Sequence, residues 1–185
     1  LETFSKDYKN YSDVAFIMHS LPMVDNAYAL NNFDVKGFSD EISSHYPNSI
    51  YVVPHAGLRY FIGNITIDML YTPDMLDVFS NYNDTSLLFS VKCGGKKVLH
   101  FGDATEKAAT ETWFAYERQA FTADVLQITH HGLYTGTNSH SWTNISRIYN
   151  STGAVYALLP LGTRYSPDAR NGRWTVLCEW AKKGY

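Results

Sequence analysis

The chain has 185 residues, 45% of them hydrophobic, with 15 Lys and Arg against 18 Asp and Glu for a formal net charge of −3, which suffices for one domain with a core and argues against two. A pI near 6.1 gives no basic footprint for a nucleic-acid backbone, and no apolar run reaches the ~20 residues that a membrane-spanning helix needs. Cys93 and Cys178 belong to no Cys-x-x-Cys, so neither a disulfide framework nor a thiolate zinc site is indicated, and both are expected to be free and mostly buried.

In chain order, the first ten residues are polar and expected to fray. Val14 to His19 reads as an apolar strand, Gly37 to Tyr46 as a short helix, and Ser49 to Pro54 as a second strand bounded by Pro-Asn and Pro. Thr66 to Tyr71 alternates as a half-buried strand does. Ser86 to Cys93 and Lys97 to Gly102 flank Gly94-Gly95, a pair that tolerates positive φ, and so predict a hairpin. Thr105 is placed to cap a helix running to Phe121, with Glu106 in its first turn and Ala109, Trp113 and Tyr116 on one face. Val125 to Thr129 is a short apolar strand, Ser139 to Tyr149 a helix, and Val155 to Leu159 a last buried strand. Asn171 to Lys183 reads as a helix whose final turn carries Lys182 and Lys183. Asn-x-Ser/Thr triplets begin at Asn10, Asn64, Asn83, Asn144 and Asn150; a chain generally rich in Asn accounts for them without glycosylation.

Two of these strands end in chemistry. Phe101-Gly102-Asp103-Ala104 and Thr129-His130-His131-Gly132 each place metal-ligand side chains just past a β-run, and the helix between them makes a strand, helix, strand unit. Carboxylate and imidazoles then emerge at one sheet edge, the geometry of a metal site. The two oxygens of Asp103 accept in different directions and suit a bridging ligand, while a helix cap is the structural alternative. Neutral imidazole suits zinc or manganese. Because neighbours on an extended strand point to opposite sides, His130 is taken as the ligand and His131 as a group beside the metal or facing substrate, with the reverse order open. Asp84 is a candidate ligand or hydrogen-bond partner, an Asx-turn being the plainer reading, and Ser86 a local backbone cap. His55, His100 and His140 have no partner spacing and read as structural. Gly162 to Trp174 carries Arg164, Tyr165, Arg170 and Arg173, an arginine-rich loop able to clamp an anion.

From about Pro54 to Leu161 the chain resembles the second half of a metallo-β-lactamase-fold hydrolase, in particular the soluble hydrolase domain of bacterial competence (DNA-uptake) channel proteins. The resemblance is carried, in order, by Pro54-His55-Ala56-Gly57 with Ile62-Gly63-Asn64, the strand from Thr66, Asn83-Asp84-Thr85-Ser86-Leu87, the Gly94-Gly95 hairpin and the two ligand segments. It implies an αββα sandwich of the α/β class and a hydrolase using one or two zinc ions, or manganese. Asp103 would bridge the metals, His130 and Asp84 would ligate, and His131 with Arg164, Tyr165 and Arg170 would meet a small anionic substrate such as a phosphodiester. A catalytically silent domain, and a lactonase or thioesterase, are the alternatives. Two departures accompany it. The His-x-His-x-Asp-His run of the family is absent, so the chain is expected to be a piece incomplete at its N-terminus, inactive by itself and prone to pair with a second copy; and Ser166-Pro167 stands where the family has His-Pro.

Overall fold

The computed structural model describes residues 14–19, 40, 42–73, 82–132 and 143–160. The architecture is mixed α/β. A parallel pair joins β1 (Phe16–Met18) to β2 (Ile50–Val52), with a helical turn at 42–45 between them in sequence. The larger sheet has six strands in sequential order: β3 (Arg59–Ile62), β4 (Ile65–Tyr71), β5 (Leu88–Cys93), β6 (Lys96–His100), β7 (Val125–Gln127) and β8 (Tyr156–Leu158). From β3 to β6 the pairing is antiparallel and from β6 to β8 it is parallel.

The switch in direction follows from the connections. Gly63 (φ 60°) closes the β3–β4 turn, and Gly94 and Gly95 (φ 56° and 79°) close the β5–β6 hairpin, two successive left-handed positions that this turn geometry demands. The parallel strands need longer crossovers. These are α1 (Glu106–Ala115), between β6 and β7, and α2 (Thr143–Thr152), between β7 and β8. Both helices pack on one face of the sheet, where Leu88, Leu99, Phe101, Leu126 and Ile128 meet Ala108, Ala109, Ile145, Ile148 and Tyr149 in one buried cluster. The two carboxylate oxygens of Glu106 accept from the Asn144 and Ile145 amides at 2.6 and 3.2 Å, so α1 supplies the cap that the first turn of α2 requires.

Thr105 caps α1 as expected, its hydroxyl accepting from the Lys107 amide at 3.3 Å. The helix stops at Ala115 rather than Phe121. Tyr116 is extended (φ −129°, ψ 151°) and a separate 3-10 turn, Arg118–Phe121, follows. Breaking the helix lets Phe121 become fully buried, stacked 5.9 Å from Trp113, while the Tyr116 hydroxyl reaches the Met69 carbonyl. Strand β3 falls on a stretch, Arg59–Ile62, for which no element is expected from the sequence.

Two expectations fail on burial. The last strand is not buried: Val155 and Tyr156 are 69% and 68% exposed, because among the described residues β8 is the last strand of the sheet, with a neighbour on one side only. Cys93 is free and exposed, being at the tip of the β5–β6 hairpin. The expected strands at 14–19 and 49–54 are present in shortened form. The first ten residues, expected to fray, Cys178 and the helix expected from Asn171 lie outside the described residues, as does the start of the helix expected from Ser139.

His100 stacks on Phe89 at 4.8 Å, and burial lowers its pKa below the usual 6.5, opposed in part by a hydrogen bond that the ring donates to Gln127. A histidine depressed in the folded state binds fewer protons than in the unfolded chain, so its contribution is complete above the unfolded value and shrinks as pH falls through and below 6.5. Urea midpoints measured from pH 7.5 to 5 should therefore decline, and His100→Asn should flatten that decline.

Candidate functional site

Strands β6 and β7 are adjacent and parallel, with Val98 opposite Val125 and Leu99 opposite Leu126, so their carboxyl ends open at one place. The chain leaving β6 turns at Gly102 (φ 52°) and presents Asp103; the chain leaving β7 presents Thr129 to Gly132. A single carbonyl fastens the two exits together. Gly102 O accepts from His130 N at 3.1 Å and Gln127 Nε2 at 3.3 Å, and at 3.4 Å shares the one Thr129 hydroxyl proton with Ala104 O. In return Gln127 Oε1 accepts from the Phe101 and Gly102 amides at 3.3 and 3.2 Å. The sequence reading passed over Gln127. Its signal is a lone amide side chain in an otherwise apolar parallel strand, where an amide can complete the ladder that the shorter strand leaves open.

His130 and His131 do not lie on extended backbone. Both occupy the left-handed region (φ 45° and 54°), which changes the geometry from which their roles were first argued. Their rings sit 6.2 Å apart, tilted by 49°. Each such residue costs about 1–2 kcal/mol against glycine-like freedom, so the turn needs anchors. Thr129 provides two: its hydroxyl donates to Ala104 O at 2.7 Å, and its amide donates to the hydroxyl oxygen of Tyr149 at 2.7 Å. Burial pushes the Tyr149 phenol far above its ordinary value, keeping it neutral.

The two imidazoles face different partners. His130 Nε2 is 3.1 Å from the side-chain amide nitrogen of Asn83, so this ring nitrogen is the acceptor. His131 Nδ1 meets the Pro160 carbonyl, which makes Nδ1 the protonated nitrogen of the neutral ring, and His131 Nε2 lies 3.6 Å from Asp103 Oδ1. Asp103 and His131 remain partly open, with side chains 42% and 31% exposed. Two acceptors thus face one another across 3.6 Å, an arrangement that a cation or a proton stabilises.

The polar turn Tyr82–Thr85 closes the site from the β5 side. Asp84 is buried; its carboxylate accepts the Thr105 hydroxyl and its backbone carbonyl accepts the Tyr71 hydroxyl at 3.2 Å. Ser86 does not cap its own segment. Its hydroxyl accepts from the Asp103 amide at 3.2 Å and so aims the β6 exit. Arg164, Tyr165, Arg170, Arg173 and His140 lie outside the described residues. The donor set fits zinc or manganese only in part: among the described residues no three His, Cys, Asp or Glu side chains surround a common point, and the Asp103–His131 pair offers two of the four ligands of a tight zinc site. His131 nevertheless has the feature of a metal-ligating imidazole, its far nitrogen held by a backbone carbonyl.

No protein-family model and no curated protein sequence matches the chain. Among solved structures, it is similar to a protein of Thermotoga maritima described as a proposed Zn-dependent hydrolase of the metallo-beta-lactamase superfamily. The TM-score is 0.33 at 16% identity, over 63% of this chain and 52% of that one. The chain therefore spans about half the length of that structure.

Gly102 and His131 should respond oppositely to substitution. A Cβ at Gly102 would lie 3.4 Å from Ser86 Cβ on a backbone of positive φ, so Gly102→Ala should lower stability by about 1–2 kcal/mol in urea unfolding. His131→Gly removes a left-handed imidazole and should be neutral or stabilising by up to about 1 kcal/mol in the same measurement.

Proposed function

We propose that this chain supplies Asp103 and His131 to the metal centre of a hydrolase of the metallo-β-lactamase superfamily, with an αββα sandwich as the complete fold. The observation that carries the reading is the pair of acceptors, Asp103 Oδ1 and His131 Nε2, 3.6 Å apart at the ends of adjacent parallel strands. In this reading His131 takes the ligand role and His130, turned onto Asn83, supports it. The remaining ligands come from outside the described residues. Bound zinc, one or two ions, or manganese, would lower the pKa of water and polarise the scissile bond. The residues themselves position: Ser86 and Gln127 hold the Asp103 turn, and the Pro160 carbonyl fixes the His131 ring.

For the substrate we infer a phosphodiester or other small anionic ester. Arg164 and Arg170, with Tyr165 between them in sequence, supply guanidinium groups that pair bidentately with phosphate oxygens, and the net charge of −3 favours a small anion over a polynucleotide. A catalytically silent domain of the same fold is the second reading, favoured by the engagement of His130 Nε2 with Asn83.

Competition titration with a zinc-binding dye tests the centre. Zinc should bind this chain weakly and be lost on dialysis against a mild chelator, and Asp103→Ala and His131→Ala should each weaken it by about tenfold or more. Unchanged zinc affinity in both variants refutes the metal centre. In a zinc-loaded form with turnover, Asp103→Ala should abolish hydrolysis of bis(p-nitrophenyl) phosphate, while Arg164→Ala should chiefly raise KM. Brisk cleavage of lactones or thioesters with that phosphodiester untouched would overturn the substrate assignment, and zinc binding without any hydrolysis would favour the silent domain.

A further inference from the structure

At the opposite end of the same strands lies a second polar groove, of about 570 Å³, on the face of the sheet that carries the helices. Arg59, Phe61 and Asp68 from β3 and β4, Lys92 and Lys97 from the β5–β6 hairpin, and Asp124 at the start of β7 line it. The separation from Asp103 is the length of β6, roughly 16 Å at ~3.3 Å per residue.

Its charges do not balance locally. Asp68 is paired with Arg59. Asp124 accepts Lys96 Nζ at 2.8 Å and the Lys97 amide at 2.9 Å. Both carboxylates are therefore committed, and two ammonium groups are left. Lys92 and Lys97 stand directly opposite each other in the β5–β6 ladder, where like charges repel. Among the described residues, no carboxylate pairs with Lys92, and the Lys97 ammonium donates to a neutral group, the Ala120 carbonyl, at 2.7 Å. Burial lowers the Lys97 pKa, and the charges of Lys92 and Arg59 act in the same direction against Asp68. A half-buried cation beside an uncompensated one is a costly arrangement that a bound dianion relieves. At the rim, Phe61 is 73% exposed and offers a flat apolar surface.

We propose that this groove is an anion site for a small phosphate monoester, its phosphate held between Lys92 and Lys97 and its flat apolar substituent lying on Phe61. The dianion matches two ammonium groups, and the aromatic rim selects for a substituent that inorganic phosphate lacks. The site shares no residue with the Asp103–His131 pair.

The test is a titration of the chain with phenyl phosphate and, separately, inorganic phosphate, in chelator-treated buffer, followed by calorimetry and backbone amide NMR. Phenyl phosphate should bind several-fold more tightly than phosphate, with shifts concentrated at 59–61 and 92–97. Lys92→Ala, at an exposed position that should leave the fold intact, and Lys97→Met should each weaken both ligands by about tenfold. Phe61→Ala should weaken phenyl phosphate alone, and Asp103→Ala should change neither. The proposal is overturned if neither ligand saturates by about 10 mM, if Lys92→Ala binds as the parent does, or if Asp103→Ala abolishes binding, which would place the anion at the other end of the sheet. Because no metal is present, failure here leaves the metal-centre reading untouched, and failure of zinc binding leaves this one untouched.

Discussion

The carbonyl of Gly102 is the point on which the site depends. Three donors from the neighbouring strand exit converge on it, the His130 amide, the Gln127 amide and the Thr129 hydroxyl, and only a left-handed residue at 102 aims it their way. The Phe101 and Gly102 amides are turned toward Gln127 by the same bend. This clasp ties the Asp103 turn to the histidine turn, whose atoms Asp103 Oδ1 and His131 Nε2 lie 3.6 Å apart.

Rigidity is concentrated around the exits of β6 and β7. Two consecutive histidines in the left-handed region store strain, and the structure offsets it with buried anchors: Thr129 against Ala104 and Tyr149, and Tyr149 packed edge-on at 5.2 Å against Phe101. The same aromatic pair therefore belongs to the hydrophobic core and to the support of the site. Local unfolding of the histidine turn requires disturbing fully buried residues, which keeps the imidazoles oriented although they are themselves partly exposed.

The central strands separate two kinds of electrostatic environment. At the carboxyl end of β6, Asp103 Oδ1 and His131 Nε2 lie 3.6 Å apart; at its amino end, Lys92 and Lys97 stand opposite each other in the ladder. The hairpin that holds Lys92 and Lys97 in register also carries the strand that ends at Asp103.

The α/β class, the β5–β6 hairpin, the Thr105 cap and the placement of Asp103 and the histidine pair at strand ends were all legible in the sequence. Each rests on local chemistry: paired glycines for a tight turn, a hydroxyl before a helix, apolar runs of strand length. What depended on long-range packing was not legible. The helix ends at Ala115 because Tyr116 and Phe121 are both drawn to the core, a consequence of what lies beneath them. The apolar run at 155–159 reads as buried, yet among the described residues β8 falls at the edge, since strand order is not written in any one strand. Adjacent histidines on an extended chain would point apart; the left-handed turn that sets His131 toward Asp103 and His130 toward Asn83 comes from hydrogen bonds to Gly102, Ala104 and Tyr149, residues 20 or more positions away. Sequence alone marked Asp103 and the histidine pair as candidate groups, because side-chain type and turn propensity are local; the tertiary structure decided which of them meet, because that is set by contacts between segments distant in the chain.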